Sequence, residues 1–483
     1  MLSRNVVRGA HKAATSSTSS KPVEKVTKLG NGLTVATVDS KKPITQLVLA
    51  FRAGSRYETP AQAGLSHTLR NFVGRDSKDH FGSAIVWSAS TYGGVVKSFT
   101  SRDLFGVSLT VPRDSTSYAL HVLAQAAAVP GFKPWEIEDV LPTMRADNGF
   151  RTAYDLVVDQ IHKAAYRHFN IFSLYFAMRD CFQKWRTRKL GLRSMLKDWS
   201  YLHELVDCFR CEFFYIFSGC STECEQNSEN TKTTDKHLVN GNAVLFATNA
   251  SHDDLALFGE NHSPIRNGSA VSPSSSAYKG GEVRRDADSK YAHVIVAGEG
   301  AAGNNAKALA TQAVLLTALG NSSPVKFSTS ATGVIGKAAG ENGSASAYQA
   351  VHSDSGLAGA YIVADGAHIG QVVSNVVGAL KSFKVADIES EHLQKTTYRI
   401  SFNRSRPNAV KKQAYNNALR ASAHSDNFAI ERTSQLFQSQ DNFIELISSV
   451  STDDVDAAAK KLTNKLSVAS YGNINEVPYV DTL

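Results

Sequence analysis

A strand-turn-helix unit occurs twice in this sequence, and this repeat constrains the fold more than any other feature. The first copy reads TQLVLAFRAGSR and then QAGLSHTLRNFV, an apolar strand that ends at a glycine and then a helix-like segment. The second copy reads AHVIVAGEGAAG and then NAKALATQAVLLTAL, in the same order. Because a repeated segment is usually one structural unit, the pattern predicts two similar α/β units in one chain.

Turn-forming residues divide the chain around these copies. Gly30-Asn31-Gly32 lies between two β-prone runs and predicts a hairpin. Residues 261–282, NHSPIRNGSAVSPSSSAYKGGE, have the composition of a linker. We therefore predict an N-terminal domain at 21–260, a linker at 261–282 and a C-terminal domain at 283–483.

The composition is that of a globular chain. It has 483 residues, of which 42% are hydrophobic and 20% charged, with a net charge of +8. No apolar run approaches the ~18 residues that a spanning helix needs. The basic residues are scattered, without the clusters that follow a phosphate backbone, so we predict no membrane span and no nucleic-acid partner.

The first 20 residues differ from the rest of the chain and predict a mitochondrial transit peptide. On a helical wheel the basic residues share one face and the apolar residues the opposite face: Arg4, Arg8 and Lys12 against Leu2, Val6, Val7 and Ala10. The segment is rich in serine, and no acidic residue precedes Glu24.

A glycine pattern in the second copy invites a different interpretation. Gly298, Gly300 and Gly303 form a G-x-G-x-x-G between a strand and a helix, as in dinucleotide-binding proteins. Those proteins also need an acidic residue about twenty positions later, which holds the ribose. No Asp or Glu occurs between Glu299 and Glu341, so we interpret the glycines as a tight turn and predict no bound cofactor.

The segment AGLSHTLRNF has the spacing of an altered zinc site. His67 is followed by Arg70 and Asn71, at the positions where an inverted zinc-peptidase motif, His-x-x-Glu-His, carries a glutamate and a second histidine. A guanidinium can neither accept a proton nor favour a divalent cation beside it, and an amide is a poor zinc ligand.

Several segments together resemble the mitochondrial processing peptidase family (M16-like), which includes the core subunits of ubiquinol-cytochrome c reductase, respiratory complex III. They are GNGLTVATVD, QLVLAFRAGSRYETPAQAGLSHTLRNF, SRDLFGVSLTVPRDS and DLVVDQIHKAAYR, and the likeness covers roughly 21–167 and 238–483. The resemblance implies an α+β fold of two homologous domains, each a mixed, largely antiparallel sheet with helices packed on one face, which together form a clam-like half shell.

The resemblance also implies which residues have replaced the catalytic site. In active members the two histidines bind zinc, and the glutamate between them is the base. Here those positions hold His67, Arg70 and Asn71, and the position of a third ligand, a glutamate in active members, holds Asn148. We therefore expect this chain to be a degenerate peptidase homologue that has no catalytic residues and binds no metal.

The implied function is that of a structural core subunit of complex III. Such a subunit would lie on the matrix side, peripheral to the inner membrane, paired with core protein 1 and other complex III subunits and without a small-molecule substrate. The alternative is the non-catalytic α subunit of the matrix processing peptidase, which assists catalysis through a glycine-rich loop. The nearest candidate for that loop is ATGVIGKAAGENGSA at 331–345.

Residues 168–237 fit neither the repeat nor the resemblance. They contain all five cysteines, at 181, 208, 211, 220 and 224, and the last four have spacings close to those of a zinc ribbon. Phe213 and Phe214 lie where a ribbon needs small turn-forming residues. We predict that the segment is not a zinc module and is not a well-packed part of the fold, and we favour translated intron-like sequence over a genuine insertion.

The transit peptide gives the first testable prediction. Import should remove roughly the first 15 to 20 residues, because the basic amphipathic pattern gives way there to TSSTSSKP. N-terminal sequencing of the protein from mitochondria checks this, and an intact Met1 would contradict it.

Overall fold

The computed structural model describes residues 24–58, 64–167, 236–271, 276–320, 333–384, 410–417, 425–438 and 443–483. The predicted transit peptide lies outside these residues, and so do all five cysteines of the 168–237 segment. The zinc-ribbon and intron interpretations of that segment therefore stay predictions.

The N-terminal half builds a mixed sheet that has six strands in the described part of the chain. The strands are β1 (Glu24–Lys28), β2 (Thr34–Val38), β3 (Ile44–Phe51), β4 (Val95–Thr100), β5 (Phe105–Pro112) and β6 (Ala243–Thr248). Their order in space is β1-β2-β6-β3-β5-β4, and all neighbours are antiparallel except β2 and β6. The predicted hairpin is confirmed, since β1 pairs with β2 and Gly32 adopts a φ of 94° in the turn.

Helices of the same half pack on one face of this sheet and at its edges. They are α1 (Leu65–Phe72), α2 (Gly82–Thr91), α3 (Thr116–Ala128), α4 (Pro134–Gly149) and α6 (His252–Asn261), whereas α5 (Ala153–Tyr166) packs on the other half of the chain. Leu47, Leu49 and Phe51 of β3 point towards them and are fully or almost fully buried, as the alternation of a strand requires. Among the described residues, no helix is both long and apolar enough to span a bilayer.

The C-terminal half repeats the architecture with five strands in the described residues. They are β7 (Glu282–Asp286), β8 (Tyr291–Glu299), β9 (Gly343–Val351), β10 (Gly356–Asp365) and β11 (Ser467–Gly472), in the order β7-β11-β8-β10-β9. The helices are α7 (Ala306–Leu319), α8 (Gly333–Ala338), α9 (Ile369–Lys381), α10 (Ser425–Gln438), α11 (Phe443–Leu446) and α12 (Thr452–Asn464).

The two sheets have the same topology. In each sheet one pair is parallel, β2 with β6 and β7 with β11, and the remaining pairs are antiparallel. The sheet order β7-β11-β8-β10-β9 therefore matches β2-β6-β3-β5-β4 strand by strand, and β1 is the one described strand without a counterpart. The predicted repeat is confirmed, because β3 with α1 and β8 with α7 are its two strand-turn-helix copies.

The second face of each sheet is covered by a helix from the opposite half, an arrangement that the expectation of helices on one face did not include. Helix α5 of the N-terminal half packs on the C-terminal sheet, and α10 of the C-terminal half packs on the N-terminal sheet. In the first contact, apolar side chains of α5 pack on the C-terminal sheet: Val157, Ile161 and Ala165 on Ile295, Ala297 and Ala469. In the second, apolar side chains of α10 pack on the N-terminal sheet: Ala429 and Leu436 on Ala36, Val48 and Phe246. Each half therefore depends on the other for its complete core.

A buried arginine joins the two halves beside these helices. Arg56 is only 2% exposed, and its guanidinium donates to Asp103 of its own half at 2.8 Å and to Asp354 of the other half at 2.6 Å. It also donates to the hydroxyls of Ser276 and Ser353, at 3.1 and 3.0 Å. The fork geometry of arginine allows one side chain to pair with both carboxylates.

We expect Arg56→Met to lower the free energy of unfolding of the full chain by about 3 to 5 kcal/mol, because it leaves two carboxylates in the interface without their cation. The matched control is Arg113→Met, which removes the ion pair with Asp39 at 2.9 Å, where the two side chains are 35% and 32% exposed. That change should cost about 1 kcal/mol or less. Urea unfolding measures both values, and equal losses would contradict the proposed importance of Arg56.

Candidate functional site

The helix that carries the altered zinc motif begins at a carboxylate cap. Gly64 precedes α1 with a φ of 98°, a conformation that favours glycine. The carboxylate of Glu58 accepts hydrogen bonds from the N–H groups of Gly64 and Ser66, both at 2.7 Å, and from the Ser66 hydroxyl at 2.5 Å. Burial raises the pKa of Glu58, while these hydrogen bonds act in the opposite direction. The cap pairs N–H groups at the start of the helix that have no partner within it.

His67 is completely buried in the first turn of this helix. Its Nε2 lies 3.8 Å from Oδ2 of Asp147 and 3.4 Å from the amide nitrogen of Asn71. Burial lowers the pKa of His67 to about 4; Arg70 and Arg151 also lower this pKa, and Asp147 raises it. The imidazole is therefore neutral at pH 7.

Asn71 and Arg70 lie on the same side of the helix as His67, as i+4 and i+3 spacing requires. The Asn71 amide donates to the backbone carbonyl of His67 at 2.9 Å, so it is bound to the helix that carries it. Arg70 is partly buried, and its permanent charge disfavours protonation of His67. The structure therefore brings the three predicted residues His67, Arg70 and Asn71 together.

The fourth predicted position, Asn148, lies on the neighbouring helix α4, and its side chain is outside the described part of the structure. The carboxylate beside His67 comes instead from Asp147, which the sequence reasoning missed. Phe72 of α1 packs on Val140 and Met144 of α4. Asp147 is three residues after Met144 and so on the same face of α4, but only the packing of this face on α1 brings it to His67.

These residues do not suit a zinc ion. Zinc sites in enzymes use three protein ligands, drawn from His, Cys, Asp and Glu, and leave one open position. Here His67 and Asp147 are the two such groups beside the motif, and the described residues contain no group of three or more that could hold a metal ion. The positive charges of Arg70 and Arg151 act on the same imidazole and oppose a second cation there.

The glycine-rich turn after β8 is used for packing. The N–H groups of Gly300 and Gly303 donate to the backbone carbonyl oxygens of Gly356 and His352, at 2.9 and 2.8 Å. The N–H of Ala301 donates to Oε1 of Gln312 at 2.5 Å. A Cβ on Gly298 would lie 1.8 Å from the carbonyl oxygen of Leu462. These N–H groups already have protein acceptors and do not form a phosphate cradle, which agrees with the tight-turn interpretation.

The candidate glycine-rich loop at 331–345 contains regular structure where it is described. Residues Gly333–Ala338 form α8, and β9 begins at Gly343, which leaves a short turn between them. Residues 321–332 lie outside the described part of the chain. The described stretch therefore gives no support to a long catalytic loop.

Comparison with known proteins finds one matching family model and relatives that are similar over most of the chain. The family model described as insulinase (peptidase family M16) matches residues 34–175. The human protein "Cytochrome b-c1 complex subunit 2, mitochondrial" is 24% identical over 469 residues, which cover 95% of this chain and 91% of the human protein. A probable mitochondrial-processing peptidase subunit alpha-1 from Arabidopsis thaliana is 20% identical over 475 residues, covering 95% of this chain and 83% of the relative.

A solved structure has the same fold. A chain of "Complex III2 from Candida albicans, Inz-5 bound" superimposes with a TM-score of 0.69 and 17% sequence identity, covering 95% of this chain and 98% of that one. Residues 34–175 are therefore similar to the insulinase (peptidase family M16) domain, and over 95% of its length the chain is similar to cytochrome b-c1 complex subunit 2.

Proposed function

We propose that this chain is a non-catalytic structural core subunit of mitochondrial complex III, equivalent to core protein 2 of ubiquinol-cytochrome c reductase. The observation that carries the proposal is its similarity to cytochrome b-c1 complex subunit 2 over 95% of the chain, at 24% identity for the human protein. The similarity to a processing peptidase α subunit over the same share of the chain is lower, at 20%, which makes that function the weaker alternative.

The chemistry of the α1 site supports a role without catalysis. A zinc peptidase needs a base that takes a proton from the attacking water, and the residue at that position, Arg70, is permanently protonated. The neutral His67 is buried in the protein, where solvent and substrate do not reach it. The degenerate positions His67, Arg70, Asn71 and Asn148 would then have no catalytic role.

The proposed place of the subunit is the matrix side of the inner membrane, which it would reach through its complex. Its partners would be core protein 1 and the other subunits of complex III. The proposed division into domains is supported by the position of the two sheets, since α6 ends at Asn261 and β7 begins at Glu282. A linker at 261–282 would then connect two homologous domains.

Purification of the tagged full chain from mitochondria in mild detergent tests the function directly. We expect the chain to copurify with core protein 1 and with the absorption bands of b-type and c-type cytochromes, and to show no cleavage of presequence peptides. Copurification with a zinc-bearing peptidase subunit and with presequence cleavage would favour the processing-peptidase alternative. A tagged matrix enzyme that is not in a complex serves as the control for nonspecific capture.

The metal prediction can be tested separately. The unmodified chain should bind no zinc at α1, since the described site offers His67 and Asp147 but no third ligand. Arg70→Glu combined with Asn71→His should recover weak binding, and adding Asp147→Asn should abolish it. Metal content after gel filtration measures each variant, and stoichiometric zinc in the unmodified chain that is lost on His67→Ala would contradict the prediction.

A further inference from the structure

Two buried histidines meet at the contact between the halves. His162 lies on α5 of the N-terminal half, and His352 lies in the turn between β9 and β10 of the C-terminal half. They are 1% and 4% exposed, and their Nε2 atoms are 3.2 Å apart. This is a direct hydrogen-bonding contact between side chains 190 positions apart in the sequence.

The neighbouring atoms decide which nitrogens carry protons. Nδ1 of His162 lies 2.6 Å from the carbonyl oxygen of Val158, and a carbonyl can only accept, so Nδ1 carries a proton. In the neutral ring Nε2 of His162 is then an acceptor, and the contact between the rings requires a proton on Nε2 of His352. Nδ1 of His352 is left without a proton, 3.9 Å from Oδ2 of Asp103.

The charged groups around the pair already have partners. Asp103 accepts from the Arg56 guanidinium and from the Ser353 N–H, the latter at 3.1 Å. Arg102 pairs with Asp159 at 2.9 Å, and Arg56 also pairs with Asp354. The ring of Tyr166 lies 6.3 Å from His162 and 6.1 Å from His352, centroid to centroid. A positive charge on His162 would be buried near Arg102, and one on His352 near Arg102 and Arg56. Asp103, the carboxylate 3.9 Å from Nδ1 of His352, already pairs with Arg56.

We propose that the His162–His352 pair is an acid-sensitive latch between the two halves. The ring-to-ring hydrogen bond holds α5 against the 352–355 turn at neutral pH, and uptake of protons by the rings opens this contact. This inference does not depend on the proposed function, because it concerns the contact between halves of a single chain.

The direction of the pH dependence follows from the burial of the rings. Burial lowers the pKa of both histidines well below the ordinary value of 6.5, and Arg102 acts in the same direction on both. The open state therefore binds more protons than the closed state at acid pH, so the latch is fully stable above about pH 6.5 and weakens as the pH falls. Between pH 7.5 and 5.5 the opening equilibrium should grow about tenfold for each histidine that titrates.

Hydrogen exchange of the full chain, read by mass spectrometry from pH 7.5 to 5.5, tests the latch. After correction for the intrinsic exchange rates, we expect protection of α5 and of the 352–355 turn to fall by roughly a hundredfold, about tenfold for each of the two histidines, while β3 keeps its protection. The double variant His162→Gln with His352→Gln removes both titrating groups, so its protection of α5 should be independent of pH over this range. His262→Gln, a change at an exposed histidine, is the control and should behave like the unmodified chain.

A single variant keeps the test decisive if the double variant does not fold. His352→Gln retains an N–H that can donate to Nε2 of His162, and it should leave about a tenfold pH effect from the remaining histidine. The same pH dependence in the unmodified chain and in either variant would overturn the proposal. An equal loss of protection in β3 would also overturn it, because acid would then unfold the whole chain instead of opening one contact.

Discussion

The exchange of helices between the halves is the constraint on which the rest of the structure depends. Each central strand is apolar on both sides; in β3, for example, Val48 faces one core while Leu47 and Leu49 face another. A half chain by itself would leave one apolar face of its sheet in water, at a large cost in free energy. Helix α5 covers that face of the C-terminal sheet, and α10 covers it in the N-terminal sheet.

Charged side chains help to fix the position of α5 on the C-terminal sheet. Asp159 of α5 accepts from both Arg102 and Arg151, and Arg56 links the adjacent loop to Asp354 of the other half. These ion pairs are partly buried, so each charge needs its partner to offset the water that it loses. The charges therefore favour one arrangement of the halves, while the apolar faces supply the driving force.

The proposed function accounts for a helix, α1, that is firmly packed but offers neither a base nor three zinc ligands. The Glu58 cap still begins α1, and the packing of Phe72 on Met144 still holds α1 against α4. Within that frame Arg70 and Asn71 stand at the positions that the sequence resemblance assigns to a base and a zinc ligand. Such a site is compatible with a scaffold, because a core subunit needs the packing of these helices and not their reactivity.

The sequence by itself determined the local elements and the identity of the altered motif. The Gly30-Asn31-Gly32 hairpin, the two strand-turn-helix copies and the replacements at Arg70 and Asn71 can all be read within a few residues, because turn chemistry and periodicity are local. Tertiary structure alone decided that Asp147 stands beside His67 and that His162 meets His352. Those contacts depend on how whole helices and sheets pack, and no periodicity in the sequence encodes the pairing of side chains 80 or 190 positions apart.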